Sequence, residues 1–187
     1  VGLIRQIPLL LQLLFWYFVA FLGLPSEPLA PLGALIRVSN QAITVMGLNL
    51  SVEFAAVLVG LSVFTGAAIA EVVRGGLDAV PRGQWEAFRS LGIGEGLGLQ
   101  RVVLPQALPA ILPALSSQYL NLAKNSTLSI AVGYADLYAV SDTAITQTGR
   151  AIEGFLLLLL SFFLLNLLIN SSMQILNHSV LNKGKRT

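Results

Sequence analysis

Long runs of apolar residues restrict what this chain can fold into more than any other feature. The run from Ile152 to Leu176 is mostly leucine and phenylalanine, and further apolar runs extend from about Leu9 to Leu24 and from Val52 to Val73. With 55% hydrophobic and 11% charged residues, the chain cannot form an ordinary water-facing surface. Because a transmembrane helix needs about 20 apolar residues, the sequence predicts an all-α membrane protein, a polytopic transmembrane helix bundle forming one domain over residues 1–187.

One more span, the third in chain order, is predicted to begin where Pro105, Pro109 and Pro113 interrupt the sequence, and it continues through polar residues to Gly133. Bases concentrate on the cytoplasmic side of membrane proteins, and four spans place Arg5, the segment 84–98 and Lys183 together on that side. The intervening segments are then expected outside the membrane on the opposite face: residues 26–49, with a surface helix around 32–46, and a polar loop over 141–149.

A charged, glycine-rich segment from Glu71 to Leu104 lies between the second and third spans. Within it, Trp85, Phe88 and Leu91 recur at helical spacing, and Gly92 follows. This pattern predicts a short helix that ends at a glycine. Such a helix is suited to docking into a groove on a soluble partner, but the periodicity is equally compatible with a connector that contacts only lipid headgroups.

The residues of this segment resemble a known motif. Glu86, Ala87, Phe88 and Gly92, followed by Val102, Leu104 and Pro105, are similar to the EAA loop of permease subunits in ABC importers. The stretches AEVVRGGLDAVPRGQ, VVLPQALPAILPAL, SSQYLNLAKNSTLSIAVGYADL and QTGRAIE, with the R-x-x-P-L-L-x-Q element of residues 5–12, resemble the polar and general L-amino-acid permease family. Phe88 and Val102 replace the usual alanine and isoleucine of the motif.

The resemblance implies a permease subunit of an ATP-driven L-amino-acid importer, which works by alternating access and catalyses no covalent reaction. Residues 74–104 would form a cytoplasmic coupling-helix loop that contacts the ATPase, and the residues carried over for this role are Glu86, Ala87, Phe88, Gly92, Leu104 and Pro105. The implied partners are a related permease subunit, an ATPase dimer, an extracytoplasmic amino-acid-binding protein and the surrounding lipid bilayer. The implied location is the bacterial inner membrane, with a cytoplasmic C-terminus and at least one span preceding this chain.

Energy for transport is expected to come from another chain, because this sequence carries no G-x4-G-K-[ST] phosphate-binding loop. ATP and Mg²⁺ are therefore assigned to the partner ATPase, and no cofactor, metal site or catalytic group is assigned here. The formal net charge of +2 comes from scattered bases, which argues against a nucleic-acid partner. The alternative function is a secondary transporter or channel for small polar solutes, which would more naturally carry paired acids or bases in mid-span.

The polar part of the third span is the candidate substrate path. Lys124, Asn125, Ser126 and Thr127 follow one another where a membrane helix would ordinarily be apolar. The side chains of Asn125, Ser126 and Thr127 offer neutral donors and acceptors for an ammonium and a carboxylate group, with Lys124 as a nearby positive charge. A local break in the helix is expected because Ser and Thr can bond back to the backbone. An equally open interpretation is that these residues hold helices together.

Small and amide residues predict helix packing elsewhere. Ala56 and Gly60 form one closely spaced small-residue face of the second span, and Ser62, Gly66 and Ala70 form another. Asn166 and Asn170 lie one turn apart on the last span and are expected to hydrogen-bond to a neighbouring helix.

Overall fold

A computed structural model describes residues 2–23, 36–38, 42–45 and 48–184 of the chain. It divides into two compact units. The first unit comprises Gly2–Gly66 and Leu122–Phe162, and the second comprises Ala67–Asn121 and the described residues from Phe163 onward. Helices dominate the described residues, which confirms the predicted helical class.

The first unit begins with two short helices, α1 (Gly2–Gln6) and α2 (Leu9–Leu14), followed by a π-helix (Phe15–Phe21). Pro8 separates α1 from α2, because proline has no N–H to continue a helical ladder. The amide Nε2 of Gln12 donates to the carbonyl oxygens of Ile4 and Ile7, at 2.6 and 3.0 Å. This side chain of α2 therefore pairs two carbonyl groups at the end of α1, which the break at Pro8 leaves without helical partners.

Three short strands follow, and they correct one expectation. Strands β1 (Ile36–Val38), β2 (Ala42–Val45) and β3 (Leu48–Ser51) form an antiparallel sheet in the order β1-β2-β3. The surface helix predicted around 32–46 is therefore wrong at residues 36–38 and 42–45, and its other positions lie outside the described residues. The β-branched residues of β1 and β2 favour an extended backbone, because their branched side chains fit a pleated surface better than a helix.

Helix α3 (Val52–Asp78) is the predicted second span, extended by five residues beyond Val73. The hydroxyl of Ser51 accepts a hydrogen bond from the Phe54 N–H at 3.1 Å and so caps the helix start. In the first unit, Val57 and Leu61 of α3 pack with Leu9 and Leu13 of α2. The predicted small face at Ala56 and Gly60 is confirmed, since a Cβ on Gly60 would come within 2.6 Å of the Leu13 side chain.

The second small-residue face of α3 behaves differently. Ser62, Gly66 and Ala70 are exposed, and a Cβ on Gly66 would meet nothing within 4 Å. Within the described part of the chain, this face packs against no other helix, so the helix contact predicted for it stays a prediction.

The second unit contains the charged segment. Helix α4 (Arg82–Ser90) is followed by α5 (Glu95–Gly98), a π-helix (Leu99–Val103) and α6 (Leu104–Asn125), which holds Pro109 and Pro113 in its interior. Their apolar side chains share one core, formed by Val80, Phe88, Val103, Ala107 and Ile111. A Cβ on Gly76 of α3 would come within 2.9 Å of Ile111, so α3 and α6 approach closely at this glycine.

In the first unit, α6 is followed by a 3₁₀-helix (Ser126–Val132) that ends at Gly133, where φ is +79°. Helix α7 (Leu137–Thr148) then replaces the predicted polar loop over 141–149. Asp136 caps it, because its Oδ1 accepts from the Ala139 N–H at 2.9 Å. The hydroxyls that suggested a loop are accommodated because they donate to carbonyl oxygens one turn earlier, as Ser141 does to Leu137 at 2.8 Å.

Helix α8 (Ala151–Gly184) contains the predicted last span. Among the described residues, two helices are long and apolar enough to cross a membrane, Val52–Asp78 and Ala151–His178, and a shorter apolar helical stretch covers Leu9–Phe21. The predicted number of four spans therefore stays a prediction. The Oδ1 atom of Asn166 is buried and has no hydrogen-bond partner among the described residues, so this oxygen does not form the predicted bond within that part of the chain.

Candidate functional site

Helix α4 presents two different faces, and the predicted coupling residues are divided between them. Pro81 precedes the helix with φ −54° and ψ 136°, which starts the chain into its first turn. Phe88 is only 2% exposed and points into the core of the second unit, with Trp85 half-buried beside it. Glu86 and Ala87 lie on the exposed face.

The helix ends as its sequence predicts. The N–H of Gly92 donates to the carbonyl of Arg89 at 3.0 Å, and the N–H of Ile93 donates to that of Phe88 at 3.1 Å. These are the two bonds of a Schellman motif, which requires a left-handed residue after the helix. Gly92 supplies it with φ +70°. Ile93 also packs against the core that contains Phe88, which completes the motif.

The position of Phe88 corrects the expected docking surface. Periodicity grouped Trp85, Phe88 and Leu91 on one apolar face, but Phe88 is enclosed by its own chain whereas Leu91 is 77% exposed. Leu97 of α5, which the sequence did not single out, is 53% exposed. Spacing alone cannot show which apolar side chains fill a core and which stay at the surface, because both satisfy the same helical period.

Polar contacts tie α4 to the segment that follows it. Nε of Arg89 lies 2.7 Å from Oε1 of Glu95, and the guanidinium lies 5.8 Å from the ring centroids of both Trp85 and Phe88. Nε2 of Gln106, in the first turn of α6, donates to Oε1 of Gln84 at 3.1 Å. Both contacts are exposed to solvent, so they orient the segments but contribute little free energy of stabilisation.

Leu104 and Pro105, the last two predicted coupling residues, form the first turn of α6. Leu104 is half-buried and Pro105 is exposed. Because Pro105 has no backbone N–H, it cannot extend the hydrogen-bond ladder of the π-helix that ends at Val103. The preceding Val103 is fully buried in the same core as Phe88, so α4 and the start of α6 share a packed interior.

The candidate substrate-path residues lie where α6 changes into the 3₁₀-helix. The backbone changes pitch there and stays helical, so the predicted break that would free main-chain donors stays a prediction. Lys124 is exposed, and Asn125, Ser126 and Thr127 are half-buried. The Ser126 hydroxyl donates to the carbonyl of Ala123 at 2.9 Å, and that of Thr127 donates to the carbonyl of Lys124 at 2.8 Å. Each hydroxyl proton is thus used locally, while the oxygen lone pairs can still accept from a ligand.

Sequence reasoning missed two buried residues near these sites. Ser129 of the 3₁₀-helix is 1% exposed, and its hydroxyl has no partner among the described residues. Gly98 at the end of α5 is buried against the ring of Phe88. The sequence shows a closely spaced series of glycines from 92 to 98, but it does not show that Gly98 is the one packed against another side chain.

Two helices of membrane length, with an exposed amphipathic helix between them along the chain, indicate a membrane protein that carries a polar segment outside the bilayer. The chain belongs to the family described as binding-protein-dependent transport system inner membrane component, whose model matches residues 3–182. This assignment confirms the resemblance drawn from the EAA-like residues and places the chain in the inner membrane.

Similar proteins are permeases of amino-acid transport systems. The chain is 44% identical over 135 residues to the glutamate/glutamine/aspartate/asparagine transport system permease protein BztB of Rhodobacter capsulatus, covering 72% of this chain and 32% of BztB. It is 52% identical over 101 residues to the general L-amino acid transport system permease protein AapQ of Rhizobium johnstonii, covering 54% of this chain and 25% of AapQ. The chain thus spans about a third or less of these relatives' lengths.

A solved structure shares the fold. The chain is similar to a chain in a crystal structure of an amino acid ABC transporter with histidines, with a TM-score of 0.70 and 28% identity, covering 95% of this chain and 72% of the other.

Proposed function

We propose that this chain forms the membrane-spanning permease part of an ATP-driven importer of L-amino acids. One observation carries the proposal: the EAA-like residues form an exposed helix, α4, that ends in a glycine-dependent turn and shares a core with α6. The identity to permeases named for amino-acid transport supports the substrate class.

The exposed surface of α4 is the proposed contact with a separate ATPase dimer, which binds ATP and Mg²⁺. Glu86 and Ala87 are exposed on this helix, and Leu91 is exposed immediately after it. We define these three residues as the coupling surface. A carboxylate beside small and apolar side chains suits a groove that offers a base and an apolar floor. Phe88 supports this surface from beneath, since it is buried in the core of the same unit.

During alternating access, the substrate would pass the segment formed by residues 124–127. The 3₁₀ hydrogen bonds that follow the pitch change have poorer geometry than α-helical ones, so their N–H groups would be easier to divert to a substrate carboxylate. Asn125 makes no side-chain hydrogen bond to another described residue, so its amide can serve as donor and acceptor for an amino acid.

The complete importer would also hold a related permease subunit and an extracytoplasmic amino-acid-binding protein. The cytoplasm would be faced by residues 84–98, which include the coupling surface, and by Lys183. Helix α7 would lie on the other side of the bacterial inner membrane.

Two substitutions test the proposed contact with the ATPase. Glu86→Lys reverses the exposed charge on α4, and Gly92→Asp opposes the left-handed turn that ends it. Both variants are expected to insert into the membrane, yet to release the ATPase or to lose binding-protein-stimulated ATP hydrolysis. Gly83→Ala is the matched control, because Gly83 lies in α4 and a Cβ there would meet nothing within 4 Å. Wild-type stimulation in both test variants would reduce α4 to a connector.

A further inference from the structure

The ring of Phe88 lies directly against the backbone of Gly98, and this contact joins α4 to α5. A Cβ on Gly98 would come within 2.7 Å of Phe88 Cγ and still closer to Cδ2 and Cε2. Real Cβ atoms do not approach other atoms so closely, so any side chain at Gly98 must displace the ring or the helix. Glycine is needed here for space, whereas Gly92 is needed for its positive φ.

The ring has little room to move away. Phe88 is 2% exposed and belongs to the core formed with Val80, Val103, Ala107 and Ile111. Well-packed cores accept added volume only by shifting side chains or backbone. A methyl group on Gly98 would therefore move α5 relative to α4 rather than simply rotate a side chain.

Two further contacts bridge α4 and the chain that leads into α6. Arg89 pairs with Glu95 at 2.7 Å, and Gln84 accepts from Gln106 at 3.1 Å. Both are exposed, and exposed contacts of this kind hold their geometry weakly. The Phe88–Gly98 contact is buried, so it is the firm connection among the three.

We propose that Phe88 and Gly98 act as a positioning pair that makes α4, α5 and the first turns of α6 move as one rigid body. This inference rests on the proposed function of α4 as the ATPase-docking helix. A displacement of α4 would then reach α6 through the buried contact, beyond what the backbone of the turn at Gly92 transmits. Neither residue needs to touch the ATPase for this role.

The short helix α5 supplies a matched control. Gly96 lies two residues before Gly98 in the same helix, and a Cβ on Gly96 would meet nothing within 4 Å. Gly96→Ala and Gly98→Ala therefore change helix propensity alike, and only the second crowds Phe88.

The experiment measures coupling in the purified complex of permease subunits and ATPase, reconstituted with the binding protein and a mixture of the common L-amino acids. Gly98→Ala should retain the ATPase and its basal hydrolysis, but amino acid taken up per ATP hydrolysed should fall at least about threefold. Gly96→Ala should match the wild type. Phe88→Leu on its own should loosen the contact and lower the ratio, while adding it to Gly98→Ala should restore part of the lost coupling.

Each outcome decides the proposal. Equal coupling in Gly98→Ala and Gly96→Ala overturns it, and so does loss of the ATPase from Gly98→Ala, since the pair would then shape the docking surface instead of transmitting its motion. If Gly98→Ala does not insert, Phe88→Leu with wild-type coupling overturns the proposal by itself, and Phe88→Leu with reduced coupling supports it. A wild-type protein that retains no ATPase would instead refute the proposed function on which the pair depends.

Discussion

Nε of Arg89 lies 2.7 Å from Oε1 of Glu95, so an ion pair closes the turn between α4 and α5. The hydrogen bond that Arg89 donates to Glu95 raises the pKa of Arg89 above its ordinary value, with smaller contributions from the charges of Glu95 and Glu86. A raised pKa of a base means that its contribution is present below the ordinary value and is lost only as pH rises past the raised one. The guanidinium therefore stays charged throughout the neutral range.

This ion pair is expected to matter little to coupling. The two side chains are 54% and 66% exposed, so water and salt screen their attraction. Arg89→Gln should change binding-protein-stimulated ATP hydrolysis by less than about twofold. The difference from wild type should not vary between roughly pH 6 and pH 8, because the raised pKa of Arg89 keeps its guanidinium charged there, and it should shrink at high salt. A large loss that persists in high salt would contradict this prediction.

The turn at Gly92 is expected to depend strongly on glycine. Its φ of +70° is disfavoured by about 1–2 kcal/mol for residues that carry a Cβ. Gly92→Ala should therefore lower the thermal unfolding midpoint of the purified complex. Gly83→Ala, inside α4, should leave the midpoint unchanged or raise it slightly, because alanine favours a helix over glycine by roughly 0.8–1.0 kcal/mol. Equal midpoints for the two variants would mean that the turn is not held in the left-handed region.

Topology can be tested by cysteine labelling, since the chain contains no cysteine. Leu91→Cys places a thiol at an exposed position next to α4, and Gln147→Cys places one at an exposed position in α7. A membrane-impermeant maleimide added to intact spheroplasts should label the cysteine at position 147 and not that at position 91. Opening the membrane and removing the ATPase, which would otherwise cover position 91, should then make both react. Labelling of position 91 from outside would reverse the predicted orientation.

The substrate path predicts a selective effect on transport. Asn125→Ala and Thr127→Val should raise the KM for at least some amino acids while the complex retains its ATPase, because each removes a polar group at the pitch change of α6. Ser116→Ala is the control, since the Ser116 hydroxyl likewise donates to a carbonyl one turn earlier, that of Leu112, at 3.1 Å. Unchanged KM for every amino acid tested would assign Asn125 and Thr127 to helix packing.

The sequence predicted the long apolar helices and the glycine-terminated helix α4 because each is specified locally. Apolar runs of membrane length have few alternative structures. Glycine is almost the only residue type that suits the left-handed turn at position 92. An irregularity in the helix after Asn125 was likewise expected from the sequence, because Ser126 and Thr127 can bond back to the backbone.

Other features were missed either because composition misled or because contacts between distant residues decided them. The helix α7 was mistaken for a loop because its hydroxyl-rich composition is typical of loops, yet an aspartate cap and backbone-bonded hydroxyls stabilise it. The inward position of Phe88 and the buried position of Gly98 could not be predicted, because both depend on how α4 packs against α5 and α6. The sheet of β1 to β3 depends on strand pairing, which helical periodicity does not report.

The energy source is the claim on which the account depends most. The direct measurement is uptake of radiolabelled L-amino acids into proteoliposomes that hold the purified protein with its copurifying subunits. The account predicts uptake that requires hydrolysable ATP on the α4 side and the binding protein on the other, with no uptake driven by a proton or sodium gradient alone. Gradient-driven uptake without ATP and without an ATPase subunit would contradict it and identify a secondary transporter instead.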